Sequence, residues 1–279
     1  MFAHLSRLLA TDISSTIELG GKDFLTPLRE LPVMALTSML KKIAHGLGYE
    51  VYNLSRPGLY SQDCLTTFHN HDFIREPRFV AAYQRGIQAA GVDHRIHWRV
   101  HVALWVASQV RHLSGAFVEC GVSTGFLSSA IMQFLDWNSL QKNFYLFDTF
   151  CGLEERFLTP GERNTERLSW YKDLAYESVR DNFLEFKNVH LIQGAVPDSL
   201  SSVDIPHVCY LSLDMNCTFP EIQAATFFWE KLVPGGMVLL DDYAYSGYEE
   251  QNRAFNSFAA EKSTEILTLP TGQGLIIKR

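Results

Sequence analysis

Apolar and polar positions follow two regimes along this chain. Up to about residue 114 the apolar residues recur near helical spacing with irregular joins. One such stretch covers residues 32–47. Another covers 77–90, where Phe79, Ala82, Tyr83 and Ile87 share a face. A third runs from a cap at Asp93 through His97 to about residue 113, and Ser114-Gly115 ends it. After Gly115 the pattern becomes short apolar run, polar turn and helix, repeated. The runs fall at 116–120, 144–147, 189–192, 208–213 and 237–240, and runs at 266–269 and 275–278 close the chain. Helical stretches fall at 123–135, 174–186, 220–232 and 248–262. Strands without a polar face, alternating with helices, predict a mostly parallel, doubly wound α/β sheet with helices on both faces. The domain reading is a helical N-terminal extension over residues 1–114 and a sheet domain over 115–279.

In such a sheet ligands bind beyond the carboxyl ends of the strands, so the residues after each run carry the chemistry. The first run leads into "FVECGVSTGF", residues 117–126. Its loop is Gly-x-x-x-Gly. It lacks the G-x-G-x-x-G of a dinucleotide site and the Gly-Lys-Ser/Thr of a phosphate loop. Gly121 and Gly125 allow close approach of backbone to a ligand. Glu119 suits an amine, and the helix start near Ser123 and Thr124 suits a carboxylate. The second run ends at Asp148, a position that suits ribose hydroxyls, with Thr149 and Phe150 following along the same edge. The third ends at Gln193-Gly194-Ala195, where a glycine admits a flat ring such as adenine. An amino acid joined to a ribose and adenine is S-adenosylmethionine. The rival reading of each feature is a capping turn, and the recurrence of acidic residues at successive strand ends argues against it.

The fourth run ends at Asp214 and the fifth at Asp241 and Asp242. Three carboxylates converging at one edge repel one another unless a cation compensates them. Oxygen ligands of this kind suit Mg²⁺, or Mn²⁺ or Ca²⁺, with Asn216 able to add an oxygen. Asp214 could also contact the cofactor and act as base. The plain alternative is that these residues only cap the following turn and helix.

These segments resemble the macrocin O-methyltransferase family. The matching pieces are "FVECGVSTG", "FYLFDTFCGLEE", "VHLIQGAVPDSL", "YLSLDMN", "KLVPGGMVLLDDYAYSGY" and "TGQGLIIKR", in order over about residues 115–279. The resemblance implies a Rossmann-like class I methyltransferase with a seven-stranded sheet. It would use S-adenosylmethionine, and in many members Mg²⁺, to methylate a sugar hydroxyl. It places the metal on Asp214, Asp241 and Asp242, and the cofactor on residues 119–125 and Asp148. The family often has Trp-Arg-Gly-Gly where this chain continues Ser123-Thr124-Gly125-Phe126, and a second Asp at Asn216. Alternatives with the same strand tips are a catechol or phenol O-methyltransferase, a nucleotide-binding protein, and an inert interaction module.

Composition narrows the partners. Arginine and lysine number 24 against 31 aspartates and glutamates, a net charge of −7 with no basic cluster, so no nucleic acid is expected. The acceptor that the resemblance implies is instead a small hydroxylated molecule. No run of about 18 apolar residues predicts a membrane span. The N-terminus reads as a short amphipathic helix rather than a secretory signal. Five cysteines without a CxxC pair read as reduced thiols in a cytoplasmic protein. The N-terminal helices offer a surface for pairing two copies.

Further features have competing readings. His69 and His71 in "FHNHDF" could enter the site as base or ligand, or pack in a polar loop. His97 and His101 have the i, i+4 spacing of a zinc pair but lie on a packing helix. Residues 153–173 form a long charged excursion readable as a lid or as solvated helices. Tyr243, Tyr245 and Tyr248 could line an acceptor pocket or simply pack.

Overall fold

The computed structural model describes residues 33–53, 57–163, 171 and 174–279. The amphipathic segment expected at the N-terminus, and much of the excursion within 153–173, lie outside the described residues. The chain divides into two compact units, 1–57 and 58–279. The break therefore falls well before residue 114, and residues 58–114 belong to the same unit as the sheet. In the first unit, α1 (Val33–Gly46) covers most of the helix expected at 32–47.

The second unit opens with a two-stranded hairpin, β1 (Tyr60–Gln62) and β2 (Leu65–Thr67). Its two turn residues, Asp63 and Cys64, both have positive φ, 50° and 56°. That is the twist a two-residue hairpin turn demands, here met without glycine. Next come α2 (Pro77–Ala90), with proline in its first turn and Gly91 at φ 71° closing it, and α3 (His97–Val110). Asp93 does not cap α3. Its Oδ1 accepts instead from the Tyr83 hydroxyl at 2.7 Å and the Arg95 N–H at 2.8 Å, tying α2 to the start of α3.

The sheet follows: β3 (Ala116–Cys120), β4 (Phe144–Asp148), β5 (Val189–Gln193), β6 (Val208–Leu213), β7 (Leu232–Leu240), β8 (Leu267–Thr268) and β9 (Gly274–Ile277). The order is β5-β4-β3-β6-β7-β9-β8. β3 to β7 pair in parallel, and β9 runs antiparallel to both its neighbours. Because β3 lies between β4 and β6, the chain moves outward in both directions from it, which makes the β3 and β6 tips the switch point beyond which such sheets bind ligands.

Strand alternation assigns the two faces. Phe117, Tyr210 and Leu239 pack with α2, α3 and the helix α4 (Phe126–Leu135). Val118, Leu211 and Leu240 pack with α7 (Thr218–Trp229) and α8 (Glu249–Glu261). The short helices α5 (Pro160–Arg163) and α6 (Tyr176–Asp181) fall between β4 and β5. At Gly86 of α2 an added Cβ would stand 2.7 Å from the Phe126 ring, so α2 fits α4 only with glycine there. This packing explains why residues 58–114 are not an appendage: Phe79, Val100, Ala103 and Leu104 share one core with the sheet. Among the described residues no helix is long and apolar enough to cross a membrane.

Candidate active site

The tips of β3, β4, β5, β6 and β7 open on one cavity of about 400 Å³, within the range of small-molecule sites. Gly121, just past β3, has φ 91°, and a Cβ there would stand 1.8 Å from the Asp214 carbonyl oxygen. Only glycine lets the β3 and β6 tips come together. The sheet ladder continues past them, with Asp214 N–H donating to Cys120 O at 2.9 Å and Asp241 N–H to Leu213 O at 3.0 Å.

The loop after Gly121 wraps around Asp148. Its Oδ2 accepts from the N–H groups of Val122 at 2.7 Å and Ser123 at 2.8 Å, and its Oδ1 accepts from Phe150 N–H at 2.7 Å. Ser123 and Gly125 take positive φ, 51° and 86°, to allow this. The helix expected from residue 123 therefore starts only at Phe126. Asp148 lines the cavity as expected, but most of its acceptor capacity holds the loop.

Glu119 is 2% exposed, and its Oε2 has no hydrogen-bond partner. Burial, partly offset by the nearby Ser128 hydroxyl and reinforced by the negative charges of Asp241 and Asp148, pushes its carboxyl up to about 8. Glu119 lines the cavity, and a buried carboxylate oxygen without a partner is a place for a cationic group. Gly121, Ser123, Thr124, Thr149, Gly194, Ala195 and Asp214 also line the cavity.

Three expected cofactor residues do not line it. Gln193 is exposed, and Phe150 turns into the core against Tyr176. Gly125 serves the backbone: its missing Cβ would stand 2.5 Å from the Phe183 ring.

Asp214, Asp241 and Asp242 share the cavity wall, as the strand ends predict. Burial raises the Asp214 carboxyl well above the ordinary carboxylate range, with Asp241 and Asp242 adding to it. Asn216 donates from Nδ2 to Asp214 Oδ1 at 3.2 Å and accepts from the Tyr248 hydroxyl. Glu221 of α7 is buried nearby, accepting from Met215 N–H at 2.8 Å, and burial followed by Asp242 pushes it up to about 8.

The residue that sequence reasoning missed is Arg99. Its Nη1 bonds Asp241 Oδ2 and lies 3.6 Å from Asp242 Oδ1, while its Nε donates to Asp63 Oδ2 at 2.9 Å. Its guanidinium stacks on the Tyr245 ring at 4.6 Å. Burial opposes the charge, but Asp241, Asp242 and Asp63 outweigh it and raise the pKa further. Gln273 Nε2 donates to the other Asp241 oxygen at 2.9 Å. As a donor set the three carboxylates have the hard oxygen chemistry a divalent cation requires. In this conformation Arg99 and Gln273 hold Asp241, and among the described residues no three acidic, histidine or cysteine side chains are gathered at metal-binding spacing.

The histidines resolve differently from the metal alternatives. His69 and His71 sit in a loop, with His71 Nδ1 3.0 Å from His69 O, and neither lines the cavity. His97 stacks on Tyr83 at 4.0 Å and His101 on Phe73 at 3.9 Å; burial lowers the pKa of both. His94, in the turn before α3, lines the cavity instead. Of the three tyrosines that follow the acidic pair in sequence, Tyr245 and Tyr248 line it, and Tyr243 bonds Asn256.

A family model described as macrocin-O-methyltransferase matches residues 99–267. Two solved structures have the same fold. The O-methyltransferase NovP superposes with a TM-score of 0.57 at 22% identity, covering 64% of this chain and 79% of that one. The calicheamicin methyltransferase CalS11 superposes with a TM-score of 0.53 at 13% identity, covering 94% and 99%. Among curated proteins no sequence matches the chain.

Proposed function

The chain belongs to the macrocin-O-methyltransferase family of S-adenosylmethionine-dependent O-methyltransferases, and from that premise we propose that it methylates a sugar hydroxyl of a saccharide or glycosylated natural product with the help of Mg²⁺. The observation that carries this reading is that Glu119, whose Oε2 lacks a partner, and Asp214 line the same cavity. Family membership decides against a nucleotide-binding protein that lacks methyl transfer.

S-adenosylmethionine supplies a methyl group on a positively charged sulfur. Glu119 takes the amine of its amino-acid end, offering the free Oε2. The Gly121–Gly125 loop, fixed by Asp148, lets backbone approach that end closely. Gly194 and Ala195 leave room for the adenine, and the remaining Oδ1 capacity of Asp148 takes a ribose hydroxyl.

Asp214 is the general base. Asn216 fixes its Oδ1, leaving Oδ2 to accept the acceptor proton. Tyr245 and Tyr248 offer aromatic walls of the kind that pack on sugar rings. A divalent cation held by Asp214, Asp241 and Asp242 would lower the pKa of a chelated hydroxyl. The chain's own part is positional: it holds nucleophile and methyl donor in one small cavity, where alignment replaces a bimolecular encounter.

The test is incubation with S-adenosylmethionine, Mg²⁺ and a panel of glycosides carrying vicinal diols, followed by mass spectrometry. The reading expects a product heavier by one methylene and formation of S-adenosylhomocysteine. Transfer to catechols but to no glycoside would contradict the acceptor class.

A further inference from the structure

The acidic cluster already contains a cation. Asp241 and Asp242 come from the tip of β7, while Arg99 comes from the first turn of α3. Arg99 Nη1 stands against Asp241 Oδ2 and 3.6 Å from Asp242 Oδ1, between two of the carboxylates that would hold a metal. The arginine is not free to leave at no cost. Its Nε is held at 2.9 Å by Asp63, on the tip of the β1–β2 hairpin, and its plane rests on Tyr245. The side chains of Arg99, Asp63 and Asp241 are 11%, 11% and 12% exposed, so the pairs are shielded from screening. Asp63 and Cys64 hold left-handed backbone conformations at that tip, a turn specified enough to aim one carboxylate at Arg99.

We propose that Arg99 is the resident counter-ion of this cluster, and that a divalent cation and the Arg99 guanidinium are alternative occupants of it. The inference rests on the divalent-cation reading above. A cation that binds Asp241 and Asp242 must take the place of Nη1, since two positive charges between the same oxygens repel one another. Metal affinity is then set by a competition. Arg99 weakens it, and Asp63 weakens it further by anchoring Arg99. The same exchange detaches the hairpin tip from the cluster, so metal occupancy and the position of the β1–β2 hairpin are linked, each favouring its own partner by the same factor. Arg99 is a positioning residue here, acting through Asp241 and Asp242.

Mn²⁺ alone, titrated into the full-length protein and followed by the electron paramagnetic resonance of the free ion, reads this directly. Arg99→Met keeps much of the side-chain volume and removes the charge. It is expected to bind Mn²⁺ about tenfold tighter than the wild type, or about 1.4 kcal/mol. Its melting temperature should be lower than that of the wild type without metal and rise more with saturating Mn²⁺. A merely structural arginine gives the opposite result, because a loosened cluster binds metal less well. Asp63→Asn, which loosens Arg99 without removing it, should tighten Mn²⁺ binding by about threefold, and it decides the matter if Arg99→Met does not fold. Equal or weaker binding by the variants than by a metal-binding wild type overturns the competition and leaves the metal reading standing. No Mn²⁺ binding by any of the folded proteins removes the metal reading, and the inference with it.

Discussion

Replacing Glu119 with glutamine tests the chemistry of the first strand tip in two directions at once. In the ligand-free protein the Glu119 carboxyl is moved from 4.5 to about 8, chiefly by burial. The folded state therefore holds a proton that the unfolded chain releases at lower pH. The stability attached to that proton is fully present below about pH 4.5 and is lost as pH rises through about 8. At about 1.4 kcal/mol per pH unit, keeping the group ionised above pH 8 costs at most about 5 kcal/mol. Relaxation and water entry lower this to on the order of 2 kcal/mol. Glutamine has nearly the same shape and no charge to desolvate. Urea unfolding of both proteins without ligand, from pH 5 to pH 9, should show the wild type losing stability relative to Glu119→Gln by roughly 2 kcal/mol. Because Asp148, Asp214 and Glu221 are also raised by burial, only the difference between the two proteins isolates Glu119. With ligand the order reverses. A charge-assisted hydrogen bond to the amine contributes about 1.5–3 kcal/mol, so Glu119→Gln should bind S-adenosylhomocysteine about 10- to 100-fold more weakly. Parallel pH curves for the two proteins would refute the burial argument, and unchanged affinity would refute the amine assignment.

Other expectations follow from single contacts. Gly121→Ala places a Cβ 1.8 Å from the Asp214 carbonyl oxygen at a positive φ, and should cost more than about 3 kcal/mol in denaturant unfolding or prevent folding. Asp214→Asn should lower kcat by at least about 100-fold while leaving S-adenosylhomocysteine binding, measured by calorimetry, within about threefold. The double replacement of His69 and His71 by alanine should leave kcat within about twofold, since both lie away from the cavity and surface substitutions are nearly neutral. A large loss there would mean that this loop enters the site during turnover.

How much of this was legible in the sequence depends on where each residue sits. Asp148, Asp214 and Asp241 each follow a mostly apolar run, with Asp242 next to Asp241, and a parallel sheet gathers such ends at one edge by geometry alone. Glu119 was legible for the same reason, as the one charge within β3, with Gly121 two residues on. Arg99 was not, because its partners lie 142 residues away on β7 and 36 residues back on the hairpin. A local pattern cannot show that α3 packs against the sheet with its first turn at the cavity. A faint signal existed: Arg99 is the one arginine or lysine in the helix "HWRVHVALWVASQV", and it is buried. A cation on a buried face requires a carboxylate. The same long-range packing placed the compact boundary at residue 57 rather than 114. Phe150 lies past the last ladder pair, where side-chain direction depends on loop dihedrals such as its φ of 53°, which alternation along the strand does not carry over, whereas Gln193 is still paired with Asp148 in the ladder and its side chain is exposed.

The most direct test of the central claim is calorimetric titration of the folded protein with S-adenosylmethionine and S-adenosylhomocysteine. Binding at one site per chain with micromolar affinity is expected, with release of a proton from Glu119 near pH 7 seen as a heat that varies with the buffer's ionisation enthalpy. Folded protein that binds neither compound, with or without Mg²⁺, would contradict it.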